Sequence, residues 1–180
     1  MLDAVVAVLA RRRVALGFVC GVVTLVFAQP TLRSIALGMS IAALGELLRV
    51  WAAGHLNKSR EVTVSGPYRW VGHPLYLGSS IMGFGLAVAC ASVLVAGLVA
   101  VYLVVTLTAA MRSEEAFLRR TFPDGYDRYR RGDAQPHKRF DLAQAMANRE
   151  YRAVVGLVLV ALLLILKATY NGSLWRAGGP

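Results

Sequence analysis

Long apolar runs alternate with short polar segments along this chain, and their lengths predict membrane-spanning helices. A helix needs about 20 consecutive apolar residues to cross a bilayer, and residues 14–32 contain no charged side chain. Residues 70–111 lack Asp, Glu, Lys and Arg altogether, which is long enough for two spans joined as a hairpin near residues 89–92. The pattern therefore predicts an all-α, polytopic membrane protein with about five spans, at residues 14–32, 32–53, 74–90, 92–110 and 153–170.

The two ends of the chain add detail to this prediction. The first 13 residues, MLDAVVAVLARRR, carry their basic cluster after the apolar residues, whereas a signal peptide carries it before them. We therefore expect a short interfacial helix there. Pro30 is expected to close the first span, and Lys167 is expected to extend its charged end to the membrane interface.

Composition and charge agree with a membrane protein. The 180 residues are 57% hydrophobic, with a mean hydropathy of +0.54, which is more apolar than a soluble domain. The net charge of +10 does not indicate nucleic-acid binding, because the basic residues lie between apolar runs instead of on one face of a soluble module. We expect one membrane domain with a lipid environment as its partner, and the sequence leaves its oligomeric state open.

The distribution of Lys and Arg predicts the orientation of this domain. In a five-span arrangement, three of the 20 basic residues, namely Arg33, Lys167 and Arg176, fall on one side, and the other 17 fall on the side of the N-terminus. The positive-inside rule then places the N-terminus and segments 54–73 and 111–152 in the cytoplasm. Richness in Ala, Val and Arg suggests a bacterial source, and hence the plasma membrane.

Several common kinds of site are not indicated by the sequence. Cys20 and Cys90 stand alone, without the spacing of a disulfide framework or a zinc site. His55 and His137 have no partner at ligand spacing, so we interpret them as surface residues and predict no metal. The stretch from Gly83 to Gly85 lacks the context of a dinucleotide loop and is interpreted as small residues for helix packing.

Polar chemistry is concentrated first in the stretch SGPYRWVGHPLYLG, residues 65–78. Pro74 suits the first turn of a helix, which places His73 at the cap and Tyr76 and Leu77 one turn further on. A helix N-terminus favours an anionic ligand group. The alternative is an interfacial loop with a belt of Tyr and Trp.

A second polar stretch is RSEEAFLRRTFPDGYDRYRR. On a helix that continues out of the fourth span, Glu114 and Leu118 share the apolar face, so Glu114 is expected to be buried and in need of a partner. Glu115 has Arg119 four residues after it, and a surface ion pair is the alternative for this residue. Two adjacent carboxylates are suited to holding ribose hydroxyls or an ammonium group.

A third set of polar residues lies within or beside the spans. Glu46 and Arg49 are three residues apart in the second span and either neutralise each other or bind substrate. Arg149 and Glu150 precede the fifth span and either begin a helix or act in catalysis. We assign the first pair to substrate binding and the second pair to catalysis.

Two of these stretches carry a family resemblance. SGPYRWVGHPLYLG resembles the GPYxxxRHPxYxG signature of the isoprenylcysteine carboxyl methyltransferase and phospholipid methyltransferase group of membrane enzymes. EEAFLRRTFPDGYDRY resembles the second signature of that group, and LLRVWAAGHLNK is similar to the segment that precedes the first signature in many bacterial members. The resemblance covers roughly residues 47–131, with the two signatures in the expected order.

The resemblance implies an S-adenosylmethionine pocket that faces the cytoplasm and is not a Rossmann domain. The residues that match the family's cofactor-binding positions are Tyr68, His73, Pro74, Tyr76, Leu77, Glu114 and Glu115. One departure stands out, because the family's Arg before His-Pro is Gly72 here. Arg69 and Arg149 are the candidates to replace it.

The implied activity is methyl transfer from S-adenosylmethionine to a lipophilic acceptor, with an isoprenylcysteine-like carboxylate favoured. A phospholipid amine or a phenolic lipid is an alternative acceptor, and either of these needs a base whereas a carboxylate does not. Two other functions remain open: an NADPH-dependent membrane reductase, and a small transporter that uses Glu46 as a proton site.

Overall fold

The computed structural model describes residues 2–57, 60–133 and 138–174, with side chains from residue 15 onward except that of Arg130. This part of the chain is helical and contains no strand, which confirms the predicted all-α class. A 3-10 turn at Gly66–Arg69 lies between the second and third helices. The helices are α1 (Leu2–Phe27), α2 (Leu32–His55), α3 (Pro74–Cys90), α4 (Val93–Thr121), α5 (Pro123–Arg131), α6 (Leu142–Ala147) and α7 (Tyr151–Tyr170).

Three of these helices, α2, α4 and α7, are long and apolar enough to cross a membrane. The apolar part of α1, Ala15–Phe27, and the whole of α3 are shorter. The membrane character of the protein is therefore supported, while the count of five spans stays a prediction.

The N-terminal region differs from its prediction. Residues 2–27 form one continuous helix, not a short interfacial helix followed by a span that reaches residue 32. Residues 2–16 contain neither Gly nor Pro, so nothing in the sequence breaks the helix there. At the other end Pro30 disfavours helix at the residue before it. Thr31 and Ser34 then form a reciprocal capping box that begins α2.

The predicted hairpin of the third and fourth spans is confirmed as α3 and α4. Ala91 adopts a left-handed conformation, with φ of 47°, and reverses the chain after Cys90. The Ser92 side chain then accepts a hydrogen bond from the Val95 N–H at 3.4 Å and caps α4. The hairpin brings the C-terminal part of α4 back past the start of α3.

Glycines bring α2 and α3 into backbone contact. Gly38 faces Gly85, and Gly45 faces Gly78, so the two helices run antiparallel. A Cβ atom at any of these four positions would collide with backbone atoms of the other helix. Gly83, on another face of α3, packs against Leu103 of α4. The packing role predicted for the Gly83 to Gly85 stretch is thus confirmed, although the α2 partner was not foreseen.

The buried apolar cluster lies at the end of the bundle opposite the polar segments. Its residues come from the starts of α2 and α4, from the ends of α3 and α7 and from the position that follows α1: Ala28, Ile35, Ala89, Cys90, Val95, Leu164 and Ala168. Lys167 lies beside this cluster. Its Nζ donates hydrogen bonds to the carbonyls of Leu25 at 2.5 Å and Val26 at 2.8 Å, so it caps the end of α1. Its reach to the membrane interface stays a prediction.

Segment 138–150 is bound across the C-terminal end of α2. The last carbonyls of a helix have no partner within it, and here side chains from α6 and its C-cap supply donors. The Asn148 Nδ2 donates to the carbonyls of Ala53 at 2.8 Å and Leu56 at 2.9 Å, and the Gln144 Nε2 donates to Leu56 at 3.1 Å. This segment leads directly into α7.

His55 is buried at the same end of α2, and its prediction as a surface residue is wrong. Its ring packs against Trp51 and Phe140 and against the backbone of Gly66, so it joins α2 to the loop and to segment 138–150. His137 lies outside the described residues.

Candidate functional site

The first polar stretch and the Glu pair of α4 meet at His73. His73 is the N-cap residue of α3, with the buried Pro74 in the first helical position. Its Nε2 lies 3.2 Å from Glu115 Oε1, and its Nδ1 lies 3.8 Å from Glu114 Oε2. The structure therefore brings together residues that the sequence separates by about 40 positions.

The hairpin explains this meeting. Counted outwards from the α3–α4 turn, Glu114 lies about five residues beyond the level of Pro74, or about 7.5 Å at 1.5 Å per residue. The Glu pair therefore passes the first turn of α3. We describe His73, Glu114 and Glu115 together as the His73 site.

Burial within the His73 site differs from the prediction for Glu114. The Glu114 side chain is 38% exposed and that of Glu115 is 41% exposed, so Glu114 does not lie on a buried stripe. Both carboxylates turn towards His73. Glu115 also lies 3.9 Å from Arg119 Nη2, which is the predicted surface pair and contributes little in water. The site thus presents two accessible negative charges on one side of an imidazole.

The other predicted residues of α3 divide between the site and the surface. The Tyr76 ring centroid lies 5.5 Å from that of His73, so Tyr76 extends the site along α3. Leu77 is exposed.

Tyr68 is buried in the 3-10 turn next to this site. Its carbonyl accepts a hydrogen bond from the Tyr129 hydroxyl at 2.9 Å, which binds α5 to the turn. Burial raises the pKa of the Tyr68 phenol above its usual value, and the nearby carboxylates of Glu114 and Glu150 raise it further. Burial likewise raises the pKa of Tyr129. Both phenols therefore stay protonated near neutral pH.

A second polar cluster surrounds Arg49. Its Nε donates to Glu46 Oε2 at 3.1 Å, its Nη1 donates to Ser79 Oγ on α3, and its Nη2 lies 2.5 Å from Glu150 Oε1. The predicted pairing of Glu46 with Arg49 is confirmed. We describe Glu46, Arg49, Ser79 and Glu150 as the Arg49 cluster.

The Arg49 cluster holds two buried carboxylates around one guanidinium. Glu46 is 5% exposed and Glu150 is 8% exposed. The Oε1 of Glu46 is buried and has no hydrogen-bond partner among the described residues. A buried polar atom without a partner costs about 1–3 kcal/mol, so this oxygen needs an explanation.

The candidates to replace the family's Arg do not reach either group of residues. Arg69 is exposed and lies over the Trp70 ring, 5.8 Å from its centroid. Arg149 is also exposed and has a left-handed backbone, with φ of 63°. At Gly72 an added Cβ would meet only the Tyr129 hydroxyl, at 3.8 Å. The guanidinium that the fold places among buried polar groups is instead that of Arg49.

Sequence reasoning missed two residues of this region, Ser79 and Tyr129. Ser79 reaches Arg49 because α2 and α3 are in close contact. The sequence signal for that contact was the seven-residue spacing of glycines in both helices, at Gly38 and Gly45 and at Gly78 and Gly85. Tyr129 lies within the second stretch, but no pattern linked its hydroxyl to the backbone of the first.

A separate open cleft of about 680 Å³ lies between residues 60–64 and the corner where α4 meets α5. It is lined by charged residues of both signs and does not include His73 or the Glu pair. Within residues 2–57, 60–133 and 138–174, no group of three or more His, Cys, Asp or Glu side chains is arranged to hold a metal ion.

Comparisons with known proteins cover the part of the chain that contains these motifs. The sequence model of a family described as phospholipid methyltransferase matches residues 13–125, which include His73 and both Glu residues. The nickel-cobalt-cadmium resistance protein NccN of Alcaligenes xylosoxydans xylosoxydans is 34% identical over 100 residues, which are 54% of this chain and 46% of that protein. The cobalt-zinc-cadmium resistance protein CzcN of Cupriavidus metallidurans is 32% identical over 100 residues, or 54% of this chain and 45% of that protein. These matches thus span under half the length of each relative, and no solved structure matches the chain.

Proposed function

Because this chain belongs to the phospholipid methyltransferase family, we propose that it is an S-adenosylmethionine-dependent methyltransferase that acts on a lipophilic acceptor. The observation that carries this proposal is the contact of His73 with Glu115 at 3.2 Å. It unites the two signature stretches in one site. The excess of basic residues beside that site supports a location at the cytoplasmic face of a bacterial plasma membrane.

The donor set of the His73 site suits this cofactor. S-adenosylmethionine carries a sulfonium, an ammonium group and two ribose hydroxyls, and the carboxylates of Glu114 and Glu115 can accept hydrogen bonds from such groups. The first turn of α3 offers a partial positive charge for its carboxylate. When bound, the cofactor supplies an activated methyl group.

The residues of the chain are proposed to bind and align, since methyl transfer from a sulfonium is an in-line displacement. Correct alignment of the reacting atoms lowers a barrier by about 7–11 kcal/mol. Glu115 holds the His73 ring in one orientation, and Tyr76 packs beside that ring. Tyr68 remains protonated because its pKa is raised, so its hydroxyl is available as a hydrogen-bond donor.

The acceptor is proposed to approach from the bilayer, because the outward faces of the helices are apolar. The family resemblance offers three acceptor classes: an isoprenylcysteine-like carboxylate, a phospholipid amine and a phenolic lipid. Arg149 and Glu150 remain our proposed catalytic pair, although Arg149 lies at the surface while Glu150 is paired with Arg49.

Calorimetric titration of the purified protein in nanodiscs with S-adenosylhomocysteine tests the proposal. Wild type should bind, and His73→Ala and Glu115→Ala should each weaken binding by about tenfold or more, equivalent to about 1.4 kcal/mol. Arg131→Ala is a matched control, because Arg131 pairs with Asp133 at the surface, and it should bind as wild type does. Absence of binding by a folded wild-type protein would refute the proposal.

A further inference from the structure

Two buried carboxylate oxygens of the Arg49 cluster, Glu46 Oε1 and Glu150 Oε1, have no hydrogen bond among the described residues. Glu150 Oε1 still lies 2.5 Å from the Arg49 guanidinium, so Glu46 Oε1 is the oxygen of the cluster that is left without a close partner. We propose that Glu46 determines acceptor specificity, and that this oxygen accepts a hydrogen bond from a head group that carries a hydroxyl, thiol or amine donor. An acceptor that ends in a carboxylate is then disfavoured. This inference rests on the proposed function and selects among its acceptor classes.

Arg49 is not available to an acceptor carboxylate. Each of its three guanidinium nitrogens already has a partner, namely Glu46 Oε2, Ser79 Oγ and Glu150 Oε1. These partners come from α2, α3 and the start of α7, so the guanidinium is held from three directions. Because all three guanidinium nitrogens of Arg49 have partners, its role is to position the carboxylates of Glu46 and Glu150.

Charge balance favours a donor over an anion. At a pH high enough to ionise both Glu46 and Glu150, the cluster carries two negative charges and one positive charge. A ligand carboxylate would add a third negative charge in a poorly hydrated place, where like charges repel strongly. A neutral donor would satisfy the free oxygen, and a cationic donor would also neutralise the excess charge.

The position of the cluster suits an acceptor head group. Ser79 lies six residues after His73 on α3, or about 9 Å further along the helix at 1.5 Å per residue. The cluster is therefore deeper in the bundle than the His73 site. The charges of Glu114 and Glu150 both act on the Tyr68 phenol, so the two groups of residues share one electrostatic environment.

The Arg49 cluster lies where α2 joins α3 and α7. α2 packs against both of these helices. Among the described residues, α3 and α7 are not packed closely against each other. The Arg49 side chain contacts Ser79 on α3 and Glu150 at the start of α7, so it links the two helices.

The test is a binding comparison of dodecylamine, dodecanol and dodecanoate, by calorimetry at a mildly alkaline pH with the protein in phosphatidylcholine nanodiscs and with empty nanodiscs subtracted. These probes share one chain and differ in head group. Wild type should bind dodecylamine or dodecanol about tenfold or more tightly than dodecanoate. The comparison of the amine with the alcohol then shows whether the head group is cationic or neutral.

Glu46→Gln should reduce that preference to within about threefold and leave S-adenosylhomocysteine binding unchanged. Ser79→Ala is the control, since it removes a partner of Arg49 but leaves the free oxygen, and it should keep the preference. Glu150→Gln removes the second carboxylate charge of the cluster and should also reduce the preference for dodecylamine and dodecanol over dodecanoate. It replaces Glu46→Gln in the test if Glu46→Gln does not fold.

Three results would overturn the inference: dodecanoate that binds wild type as tightly as the other two probes, a preference unchanged in folded Glu46→Gln, or no binding of any probe. The cofactor arm separates this failure from failure of the proposed function. A wild type that does not bind S-adenosylhomocysteine refutes the methyltransferase proposal, whereas a wild type that binds S-adenosylhomocysteine but shows no preference among the three probes refutes the role of Glu46 alone.

Discussion

The imidazole Nε2 of His73 lies 3.2 Å from Glu115 Oε1, although 42 positions separate the two residues in the sequence. The turn at Ala91 and the length of α4 make this contact, because they bring the charged end of α4 back to the first turn of α3. The α3–α4 hairpin therefore assembles the site in which we propose that S-adenosylmethionine binds.

A double-mutant cycle on this pair measures whether the contact acts in cofactor binding. We expect His73→Gln and Glu115→Gln to be non-additive in S-adenosylhomocysteine affinity, with a coupling energy of about 0.5–3 kcal/mol, as for residues in direct contact. The matched cycle pairs His73→Gln with Arg119→Ala, because Arg119 lies beside the other oxygen of the Glu115 carboxylate and over the Tyr126 ring. Additivity in the first cycle would show that the contact has no part in binding.

The glycine contact between α2 and α3 predicts a large effect from a single methyl group. A Cβ atom at Gly85 would collide with the backbone of Ala42, so Gly85→Ala should lower the melting temperature by several degrees. Gly97 on α4 has nothing within 4 Å of its Cβ position, and Gly97→Ala should be neutral or stabilising, by up to about 1 kcal/mol. Thermal unfolding in detergent distinguishes the two. Equal melting temperatures would mean that α2 and α3 are less closely packed than described.

Lys167 is predicted to stabilise the fold through α1. Lys167→Met should cost about 1–3 kcal/mol, because the carbonyls of Leu25 and Val26 lose a charged donor in an apolar setting. Ser40→Ala serves as the control, since the exposed Ser40 hydroxyl bonds only within its own helix. The free energy of unfolding in a mixed-micelle denaturation is the measurement. A loss no greater than that of Ser40→Ala would contradict the capping role.

The buried phenol of Tyr68 predicts a loss of stability at alkaline pH. Its pKa is raised in the folded protein, so the unfolded chain releases this proton first, near pH 10. The stabilisation is therefore complete below about pH 10 and is lost as the pH rises towards the folded pKa. Melting temperatures from pH 8 to 11 should fall less steeply in Tyr68→Phe than in wild type or in the exposed control Tyr170→Phe. Parallel curves would refute this prediction.

The helices were predictable from the sequence because their apolar runs are long and their ends are marked. The Ser92 cap, the Pro74 start and the Pro30 stop all act locally, so the hairpin could be placed closely. The continuous α1 was missed because the cluster of Arg residues at positions 11–13 suggested a boundary, yet Arg is a good helix former.

The His73 site was predictable only through the family resemblance, which paired the loop with the Glu residues. The burial of Glu114 was overestimated, because helical periodicity gives a face but not what covers that face. The Arg49 cluster depends on contacts among three helices that are distant in the sequence. A single chain gives no direct signal for such contacts beyond the spacing of its glycines.

The central claim is that the His73 site transfers methyl groups to a lipid. The direct test is mass spectrometry of lipid extracts from cells that express wild type, Glu115→Ala or the surface control Arg131→Ala, with isotopically labelled methionine as the methyl source. The account predicts a labelled lipid, heavier than its precursor by one methylene group, in the wild-type and Arg131→Ala extracts and its loss with Glu115→Ala. A wild-type extract with no labelled lipid beyond that of cells without the protein would contradict it.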